Sequence, residues 1–309
     1  MDRAAQDAAA ERFVRDRYGE RASPPRPLSA GEWSRAYAFR LDGQEAVIRF
    51  GAYGEDFAKD ERMARHNAPG LPIPRVLEVG RTPEGYFAVS ERAYGGALDA
   101  LDGPGMRTVL PDLLRTLDAI AELPVPGGGG YGGWGPDGTA GHASWGDALL
   151  DLVRPRPRLA GWRETLEQSP EDARAFDRGV DRLRELVGDL PQERHIIHSD
   201  LLYHNVLVED GRITAVLDWG NSLYGDQLYD AAWLIYWWPW YPAWADTDIR
   251  GELTRHWARR GAQPADADRR LQCYLLHIGL DSIAYNAFTE RWDNLRRNVA
   301  QIQGYMRGM

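Results

Sequence analysis

The segment HIIHSDLLYHNVLVEDGRITAVLDWG, residues 195–220, sets side chains that bind protons or metal ions beside two short apolar runs. Asp210-Gly211 separates VLVE from RITAVLD, and such a dipeptide between apolar runs is a strong signal for a two-residue hairpin turn. We therefore predict a β-hairpin with one apolar and one polar face. It is either an ordinary hairpin with a polar end or the working part of an enzyme.

The predicted pairing brings two oxygen-bearing side chains together at one end of this hairpin. Asn205 lies opposite Val216, so Asp218 is its diagonal neighbour at about 7–8 Å between backbones. Mg²⁺ prefers oxygen ligands and takes only one or two of them from protein in nucleotide-dependent enzymes. Asp200 precedes Asn205 by five residues and could accept the proton of an attacking hydroxyl. The order Asp200, Asn205, Asp218 is the one that phosphoryl transfer from a nucleotide requires.

Two other interpretations of the same segment stay open at this point. Each polar residue taken alone is typical of a turn or a helix cap. A zinc site built from His195, His198 and His204 is a further option, but it lacks the paired-ligand spacing and any cysteine support. His198 fits better as a residue that supports the loop by hydrogen bonding.

The composition indicates a globular protein with a substantial core. The chain has 309 residues, of which 43% are hydrophobic and 27% charged. The single cysteine, Cys273, lies in an apolar helical pattern and is expected to be a buried small hydrophobe. No apolar run reaches the roughly 18 residues of a membrane span, and the charged amino-terminal segment lacks an apolar signal core. We expect a cytoplasmic protein without a membrane partner.

The charge is unevenly distributed along the chain. Basic and acidic residues balance up to Ala97, with fifteen of each, so the whole net charge of −9 lies after that residue. An acidic half disfavours nucleic acid as a partner and suits a cationic small molecule. Solubility alone is an equally good explanation of the acidity. A monomer is expected.

The order of patterns predicts an α+β protein with a β-rich amino-terminal lobe, residues 1–94, and a larger helical lobe, residues 95–309. A helix over 3–18 precedes strand-like runs around Asp42-Gly43, a second hairpin signal. A helix over 55–67 and two further strands, RVLEVG and YFAVSER, complete the first lobe. After Gly96 helical patterns dominate, apart from PVPGGGGYGGWGPDG, which we expect to be a loop.

The sequence resembles a known family. HSDLLYHNVLV followed by AVLDWG is similar to the catalytic and metal-binding loops of aminoglycoside phosphotransferases, which have a protein-kinase-like fold. The segments LSAGEWSRAYAF, LPIPRVLEVG, GWGPDG, WWPW and IGLD resemble the hygromycin B phosphotransferase branch of that family. The likeness extends over roughly residues 28–290.

The resemblance implies a two-lobed antibiotic kinase that uses Mg²⁺ and either ATP or GTP. It implies that Asp200 is the catalytic base and that Asn205 and Asp218 bind the metal. Backbone groups near the end of YFAVSER would contact the base, and a loop before the second strand would cover the phosphates. The residues implied for the nucleotide are Glu91 and Ala93 for the base, and Gly31 and Ser34 for the phosphates.

One departure from the family pattern concerns the strand AVIRF. Kinase-like enzymes place a lysine there, whereas this sequence has Arg49, and its one lysine is Lys59 in the next helix. With Asp42-Gly43 as the turn, Arg49 faces Ala36. A guanidinium can bind phosphate oxygens by two parallel bonds, so we expect Arg49 to replace the lysine, oriented by Asp60 or less favourably by Glu61. The alternative is a surface strand residue.

The acceptor is expected to be polyhydroxylated and cationic. Five tryptophan and tyrosine residues lie between positions 236 and 241, and aromatic rings stack on sugars and attract cations. We predict Trp237 and Trp240 for the acceptor site, Asp281 as a partner of an ammonium, and His204 at its border. A different aminoglycoside, a metabolic alcohol or amine, and a catalytically dead nucleotide-binding protein are the alternatives.

Overall fold

The computed structural model describes residues 3–31, 33–125, 127 and 129–307. The strands within these residues are β1 (Arg26–Ala30), β2 (Ser34–Leu41), β3 (Gln44–Gly51), β4 (Val76–Thr82), β5 (Gly85–Glu91), β6 (Gly96–Ala97), β7 (Tyr131–Trp134), β8 (Ala140–His142), β9 (His195–Ile197), β10 (Val206–Glu209), β11 (Arg212–Val216) and β12 (Leu223–Gly225). The α-helices are α1 (Arg3–Tyr18), α2 (Gly54–Met63), α3 (Gly103–Ala121), α4 (Trp145–Leu150), α5 (Trp162–Leu166), α6 (Pro170–Leu186), α7 (Leu228–Trp237), α8 (Ile249–Arg260), α9 (Ala267–Phe288) and α10 (Trp292–Arg307).

The chain forms two compact units, each built from two segments. The first combines Met1–Ala100 with Tyr203–Asn221, and the second combines Leu101–Leu202 with Ser222–Met309. The first holds a five-stranded sheet in the order β1-β2-β3-β5-β4 and a three-stranded sheet in the order β11-β10-β6. The second holds most of the helices and a four-stranded sheet, β8-β7-β12-β9. The expected α+β class, with strands first and helices later, is confirmed. The lobes proposed as 1–94 and 95–309 stay a prediction.

The five-stranded sheet packs one face against α1. Ala46 and Ile48 of β3 are fully buried, and Val47 between them is more exposed, as the period of two in a strand requires. Ala10 and Val14, four residues apart on α1, join the same apolar cluster. The β2–β3 hairpin turns at Asp42-Gly43, as expected, and pairs Arg49 with Ala36.

Helix α9 forms the centre of the second unit, where it is buried on nearly all sides. A Cβ atom on Gly279 would lie 2.2 Å from Ile302, so glycine permits the close approach of α10. Cys273 is fully buried on this helix, and burial raises the pKa of its thiol to about 12. The interpretation of Cys273 as a buried small residue is therefore confirmed. Across the described residues, no helix combines the length and the apolar composition needed to cross a bilayer.

The glycine-rich stretch expected to be a loop contains a strand. Tyr131–Trp134 forms β7, which pairs with both β8 and β12. Gly130 and Gly132 have φ angles of +82° and +84°, which glycine adopts without steric cost. A Cβ atom on Gly130 would lie 2.0 Å from the carbonyl oxygen of Ala140. Glycine here allows two backbone segments to approach closely. The prediction that this glycine-rich stretch lacks regular structure was therefore wrong for residues 131–134.

Pro111 lies inside helix α3. The helix begins eight residues earlier, where the side chain of Asp102 caps it by accepting the N–H of Gly105 at 2.8 Å. The proline removes one backbone hydrogen bond. Burial of the apolar face, which includes Val109 and Leu113, offsets that cost.

The β10–β11 hairpin forms, but its register differs from the expected one. Val206 pairs with Val216, because Thr214 occupies an extra position on β11. The hydroxyl of Thr214 donates to the carbonyl of Tyr94 at 2.6 Å, which holds the bulge in place. Beyond the bulge Asn205 lies beside Leu217, whose N–H donates to its carbonyl at 2.7 Å. The predicted pairing of Asn205 with Val216 was therefore wrong by one residue.

Candidate active site

Arg49 stands on β3 and points toward helix α2. Its guanidinium forms an ion pair with the carboxylate of Asp60 and lies over the ring of Phe57 at 5.3 Å. The expected contact is present, and it involves Asp60 and not Glu61, which is exposed. With 21% of its side chain exposed, Arg49 is not a free surface residue. The contact with Asp60 is made by Nη2, whereas Nη1 lies toward Asp218.

Asp60 connects Arg49 to the segment that follows β11. One carboxylate oxygen binds Arg49, and the other accepts the backbone N–H of Trp219 at 2.8 Å. Asp218, the residue before Trp219, places its carboxylate 3.9 Å from the guanidinium of Arg49. The fold of the first unit thus brings together Arg49, Asp60 and Asp218, which are separated by up to 169 positions in the sequence.

Asn205 and Asp218 were predicted to hold a divalent metal, and their placement fits that role. The corrected register joins Asn205 to Leu217, so Asp218 is the next residue at the same end of the hairpin. Asp218 has a φ angle of +59°, and its side chain is 47% exposed. One carboxylate and one amide oxygen suit Mg²⁺, which keeps several positions for water and phosphate.

The loop predicted to cover the phosphates is a tight connection between β1 and β2. The N–H of Gly31 donates to the carbonyl of Ser34 at 2.9 Å, and Ser34 pairs with Gly51 on β3. A Cβ atom on Gly51 would lie 2.9 Å from the carbonyl oxygen of Trp33, so the loop approaches β3 closely. The structure places Gly31 and Ser34 at the same end of the sheet to which Arg49 belongs.

The segment after β5 offers backbone groups on alternate sides. The N–H of Arg92 donates to the carbonyl of Glu45 on β3 at 3.3 Å, whereas the N–H of Glu91 donates to Arg75 at 2.9 Å. The N–H of Glu91 is therefore already engaged by the backbone of Arg75. The contact of Glu91 and Ala93 with the base therefore stays a prediction.

Asp200 lies in the second unit, at the end of the loop that follows β9. Its N–H donates to Nδ1 of His198 at 3.2 Å, so His198 supports the loop as expected. Asp230 on α7 accepts the N–H groups of His198 and Ser199 at 2.9 and 2.7 Å. These bonds hold Ser199 at a φ angle of +59°, which is uncommon for a residue other than glycine. Asp230 thereby fixes the backbone that presents Asp200.

Burial changes the ionisation of Asp230. Desolvation raises the pKa of this carboxyl group to about 7, while the N–H groups of His198 and Ser199 act in the opposite direction. A carboxyl group with that pKa changes its charge near neutrality. The loop that carries Asp200 is therefore held by a group whose state responds to pH.

His204 and the aromatic residues occupy different environments. His204 is 79% exposed and lies 3.8 Å from the carboxylate of Asp99. Trp237 is buried, and Trp240 is half-buried with the guanidinium of Arg297 over its ring at 3.9 Å. The two tryptophan rings contact each other edge to face, with centroids 5.1 Å apart.

Asp281, predicted to bind an ammonium group, already contacts a cation in the second unit. Its carboxylate accepts a hydrogen bond from Arg156 at 2.6 Å, and about a third of each side chain is exposed. One turn earlier on α9, His277 binds the hydroxyl of Tyr229 at 2.8 Å, and burial lowers the pKa of this histidine to about 4. The surroundings of Asp281 therefore include a neutral histidine and one paired arginine.

Comparison with known proteins identifies the family. The model of the phosphotransferase enzyme family matches residues 25–263. A hygromycin-B 4-O-kinase from Escherichia coli is 32% identical over 286 residues, which cover 92% of this chain and 80% of that protein. The chain belongs to the phosphotransferase enzyme family. The resemblance stated from the sequence motifs is confirmed.

Solved structures of family members agree with this assignment. A thermostable mutant of aminoglycoside phosphotransferase APH(4)-Ia, in ternary complex with ADP and hygromycin B, is 30% identical, with a TM-score of 0.83 and coverage of 97% and 98% of the two chains. A second thermostable mutant of the same enzyme, in ternary complex with AMP-PNP and hygromycin B, has a TM-score of 0.82 at 29% identity and the same coverage. A spectinomycin phosphotransferase at 14% identity, with a TM-score of 0.60 over 96% and 93% of the chains, shares the fold.

Two features of this phosphotransferase site were missed by the sequence interpretation. Asp230 is the charged residue in the apolar segment LYDAAWLIYW, and an acidic side chain in such a segment is a signal of a buried hydrogen-bonding role. Lys59, the single lysine, is buried beside Asp60. The zinc interpretation is not supported, since the described residues contain no group of three or more His, Cys, Asp and Glu side chains able to hold a metal.

Proposed function

We propose that this phosphotransferase moves the γ-phosphoryl group of ATP or GTP to a hydroxyl of hygromycin B and so confers resistance to that antibiotic. The observation that carries the proposal is the contact of Arg49 with both Asp60 and Asp218 in the first unit. It supports the proposal because a permanent cation beside a carboxylate that would bind metal is the charge arrangement that nucleotide phosphates need. The name of the Escherichia coli relative and the ligands of the related structures support hygromycin B as the acceptor.

The nucleotide is proposed to bind within the first unit. Glu91 and Ala93 would contact the base through backbone groups, and the Gly31–Ser34 loop would cover the phosphates. The Arg49 guanidinium would bind phosphate oxygens in a two-point contact through nitrogens other than the one that contacts Asp60. Asn205 and Asp218 would hold Mg²⁺, which when bound supplies neutralisation of the phosphate charge.

Asp200 is proposed to orient the acceptor hydroxyl and take its proton. The hydroxyl oxygen forms a bond to the γ-phosphorus while the bond from that phosphorus to the β-phosphate oxygen breaks, and ADP or GDP leaves. The bonds from His198 and Ser199 to Asp230 would hold the backbone that carries Asp200 in one position. Most of the rate enhancement would come from this positioning and from the fixed charges around the phosphates.

The acceptor is proposed to bind on the acidic second half of the chain, with contributions from His204, Trp240 and Asp281 and, through its contact with the ring of Trp240, from Trp237. A polycationic antibiotic suits an excess of negative charge. The hydroxyl at the 4-position is the proposed acceptor, in line with the name of the relative. We place the reaction in the cytoplasm, where nucleoside triphosphates and Mg²⁺ are available.

A panel of aminoglycosides incubated with the protein, Mg²⁺ and either ATP or GTP tests this function. Mass spectrometry of the antibiotic should show the addition of one phosphoryl group to hygromycin B, with weaker or no modification of the others. Fragmentation or NMR of the product gives the modified position. If no member of the panel gains a phosphoryl group while nucleotide binding is intact, the proposed function is wrong.

A further inference from the structure

Lys59 is the single lysine among 309 residues, and it is buried. Only 6% of its surface is exposed, and its ammonium group donates to the carbonyl oxygen of Gly220 at 2.8 Å. A buried ammonium group is costly unless it is hydrogen-bonded. An apolar residue would fill this position on α2 at a lower cost, so the charge and the donors of Lys59 call for an explanation.

The bond from Lys59 is one half of a two-point contact. The next residue, Asp60, accepts the N–H of Trp219 at 2.8 Å, and Lys59 donates to the carbonyl of Gly220. Two adjacent side chains of α2 therefore hold the N–H of one residue and the carbonyl of the next. We name this arrangement the α2 clamp, formed by Lys59 and Asp60 on Trp219 and Gly220.

The clamped segment is packed tightly against α2. A Cβ atom on Gly220 would lie 3.0 Å from Asp56 and 3.3 Å from the carboxylate of Asp218. Asp218 itself adopts a φ angle of +59°, which a residue other than glycine keeps only when its surroundings hold it there. The contact on Gly220, two residues after Asp218, is part of those surroundings.

We propose that Lys59 is a positioning residue for phosphoryl transfer, which acts by holding Gly220 so that Asp218 keeps its orientation toward the metal. This inference rests on the proposed function. Asp60 links the clamp to Arg49, so α2 fixes the phosphate-binding cation and the metal-binding carboxylate together. Lys59 touches neither substrate nor metal and works through the backbone of Gly220.

Replacement of Lys59 should change the Mg²⁺ dependence of turnover more than any other kinetic property. Lys59→Met keeps the length and the apolar stem but removes the donor. The Mg²⁺ concentration for half-maximal turnover should rise about 10-fold or more, as is typical when an outer partner of a metal ligand is lost. The KM for the acceptor should stay unchanged. Arg65→Met, which removes an exposed cation just after the same helix, is the matched control and should behave like the wild type.

A second readout does not depend on catalysis. Calorimetric titration with AMP-PNP, in the presence and absence of Mg²⁺, gives the gain in nucleotide affinity that the metal provides. This gain should be smaller in Lys59→Met than in the wild type and in Arg65→Met, whereas the affinity without metal should be similar. Lys59→Arg retains a charged donor and should recover part of this gain. This variant provides the test if Lys59→Met folds poorly.

The single lysine also permits a direct measurement on the wild-type protein. Reductive methylation followed by mass spectrometry modifies only Lys59 and the terminal amino group. Lys59 should react far more slowly than it does in urea, and more slowly still with Mg²⁺ and AMP-PNP bound. A reaction as fast as that of the unfolded chain would overturn the inference.

The two possible failures are distinguishable. If the wild-type protein phosphorylates no acceptor, the proposed function fails. If the wild type is active but Lys59→Met keeps the wild-type Mg²⁺ dependence and the wild-type gain in nucleotide affinity, the role of Lys59 fails and the function stands.

Discussion

Arg49 and Asp60 form an ion pair that joins a strand to a helix, and the second oxygen of Asp60 holds the segment that carries Asp218. A single carboxylate thus bridges the cation expected to bind phosphate and the residue that follows Asp218, which is expected to bind metal. The pair is largely withdrawn from water, since 21% of Arg49 and 7% of Asp60 are exposed. Removal of either partner leaves a poorly solvated charge, which is costlier than the loss of an exposed pair.

Replacement of Arg49 by alanine should reduce phosphoryl transfer severely. The expected loss in kcat is about 10²–10³-fold, the range found when one preorganised donor to developing charge is removed. Arg49→Lys should be intermediate, because an ammonium group keeps the charge but not the two-point geometry. Steady-state kinetics with varied ATP measure both effects.

Arg40→Ala is the matched control for Arg49, because Arg40 lies on β2 of the same sheet and its side chain is 60% exposed. It should leave the kinetics unchanged. Unchanged nucleotide affinity and turnover in Arg49→Ala would show that Arg49 has only a structural role.

Gly95→Ala should destabilise the hairpin that presents Asn205 and Asp218. Gly95 has a φ angle of +135°, and a Cβ atom there would lie 2.7 Å from the hydroxyl of Thr214 and 2.9 Å from the carbonyl of Val208. Strain of this kind costs about 1–3 kcal/mol. Urea unfolding should show that loss, and the Mg²⁺ requirement of turnover should increase.

Gly188→Ala is the control, since Gly188 has no positive φ angle and a Cβ atom there would meet no atom within 4 Å. It should be neutral or slightly stabilising. Equal stability of the two alanine variants would contradict the role assigned to the bulge at Thr214.

The stability of the wild type should decline relative to Asp230→Asn as the pH rises from about 4 to about 7. Burial raises the pKa of Asp230 to about 7 in the folded protein, from an ordinary value near 3.8. The folded state therefore binds a proton in this range that the unfolded state has lost. The stability that this proton contributes is fully present below the pKa of the unfolded state. It is lost as the pH rises through the pKa of the folded state.

Asparagine does not titrate, so the stability of Asp230→Asn shows the pH dependence that all other groups contribute. Urea unfolding of both proteins at a series of pH values gives the difference in the free energy of unfolding. A constant difference across the range would mean that Asp230 does not carry a raised pKa. The kcat of Asp230→Asn should also fall, because an amide offers one acceptor oxygen for the two N–H groups of His198 and Ser199.

Trp237→Ala should act mainly on stability, because Trp237 is 7% exposed and packs against the rings of Trp240 and Tyr236. Loss of a buried tryptophan costs about 3–5 kcal/mol. Trp240→Ala should cost less, since this ring is only half-buried. If Trp240 stacks on the acceptor, Arg297→Ala should lower the acceptor KM, because Arg297 covers the same ring at 3.9 Å.

A higher acceptor KM in Trp237→Ala without loss of stability would contradict this division of roles. Thermal unfolding of the three variants, alongside their kinetics, separates the two effects. Arg296→Ala, a neighbour on α10 with an exposed side chain, is the control for Arg297. It should change neither property.

Local signals in the sequence predicted much of the site. The Asp42-Gly43 turn sets the β2–β3 register without irregularity, so the position of Arg49 opposite Ala36 followed from counting. The contact with Asp60 followed from the expected helix after β3. Hairpin turns and nearby elements are encoded within a few residues, which is why these predictions succeeded.

The parts that failed depend on contacts distant in sequence. The bulge at Thr214 is fixed by the backbone of Tyr94, about 120 positions earlier, and no pattern within the hairpin indicates it. The support of the Asp200 loop by Asp230 spans more than 30 residues. The strand Tyr131–Trp134 exists because its glycines accept close neighbours, which composition alone does not reveal.

The most direct test of the central claim is the Asp200-dependent phosphorylation of hygromycin B. Wild-type protein and Asp200→Asn are each incubated with Mg²⁺, ATP and hygromycin B, and the antibiotic is followed by mass spectrometry. The wild type should add one phosphoryl group, and the variant should react about 10²–10⁴-fold more slowly while it still binds nucleotide, as expected for loss of a general base. An unmodified antibiotic with wild-type protein, or near-normal turnover in Asp200→Asn, would contradict the account.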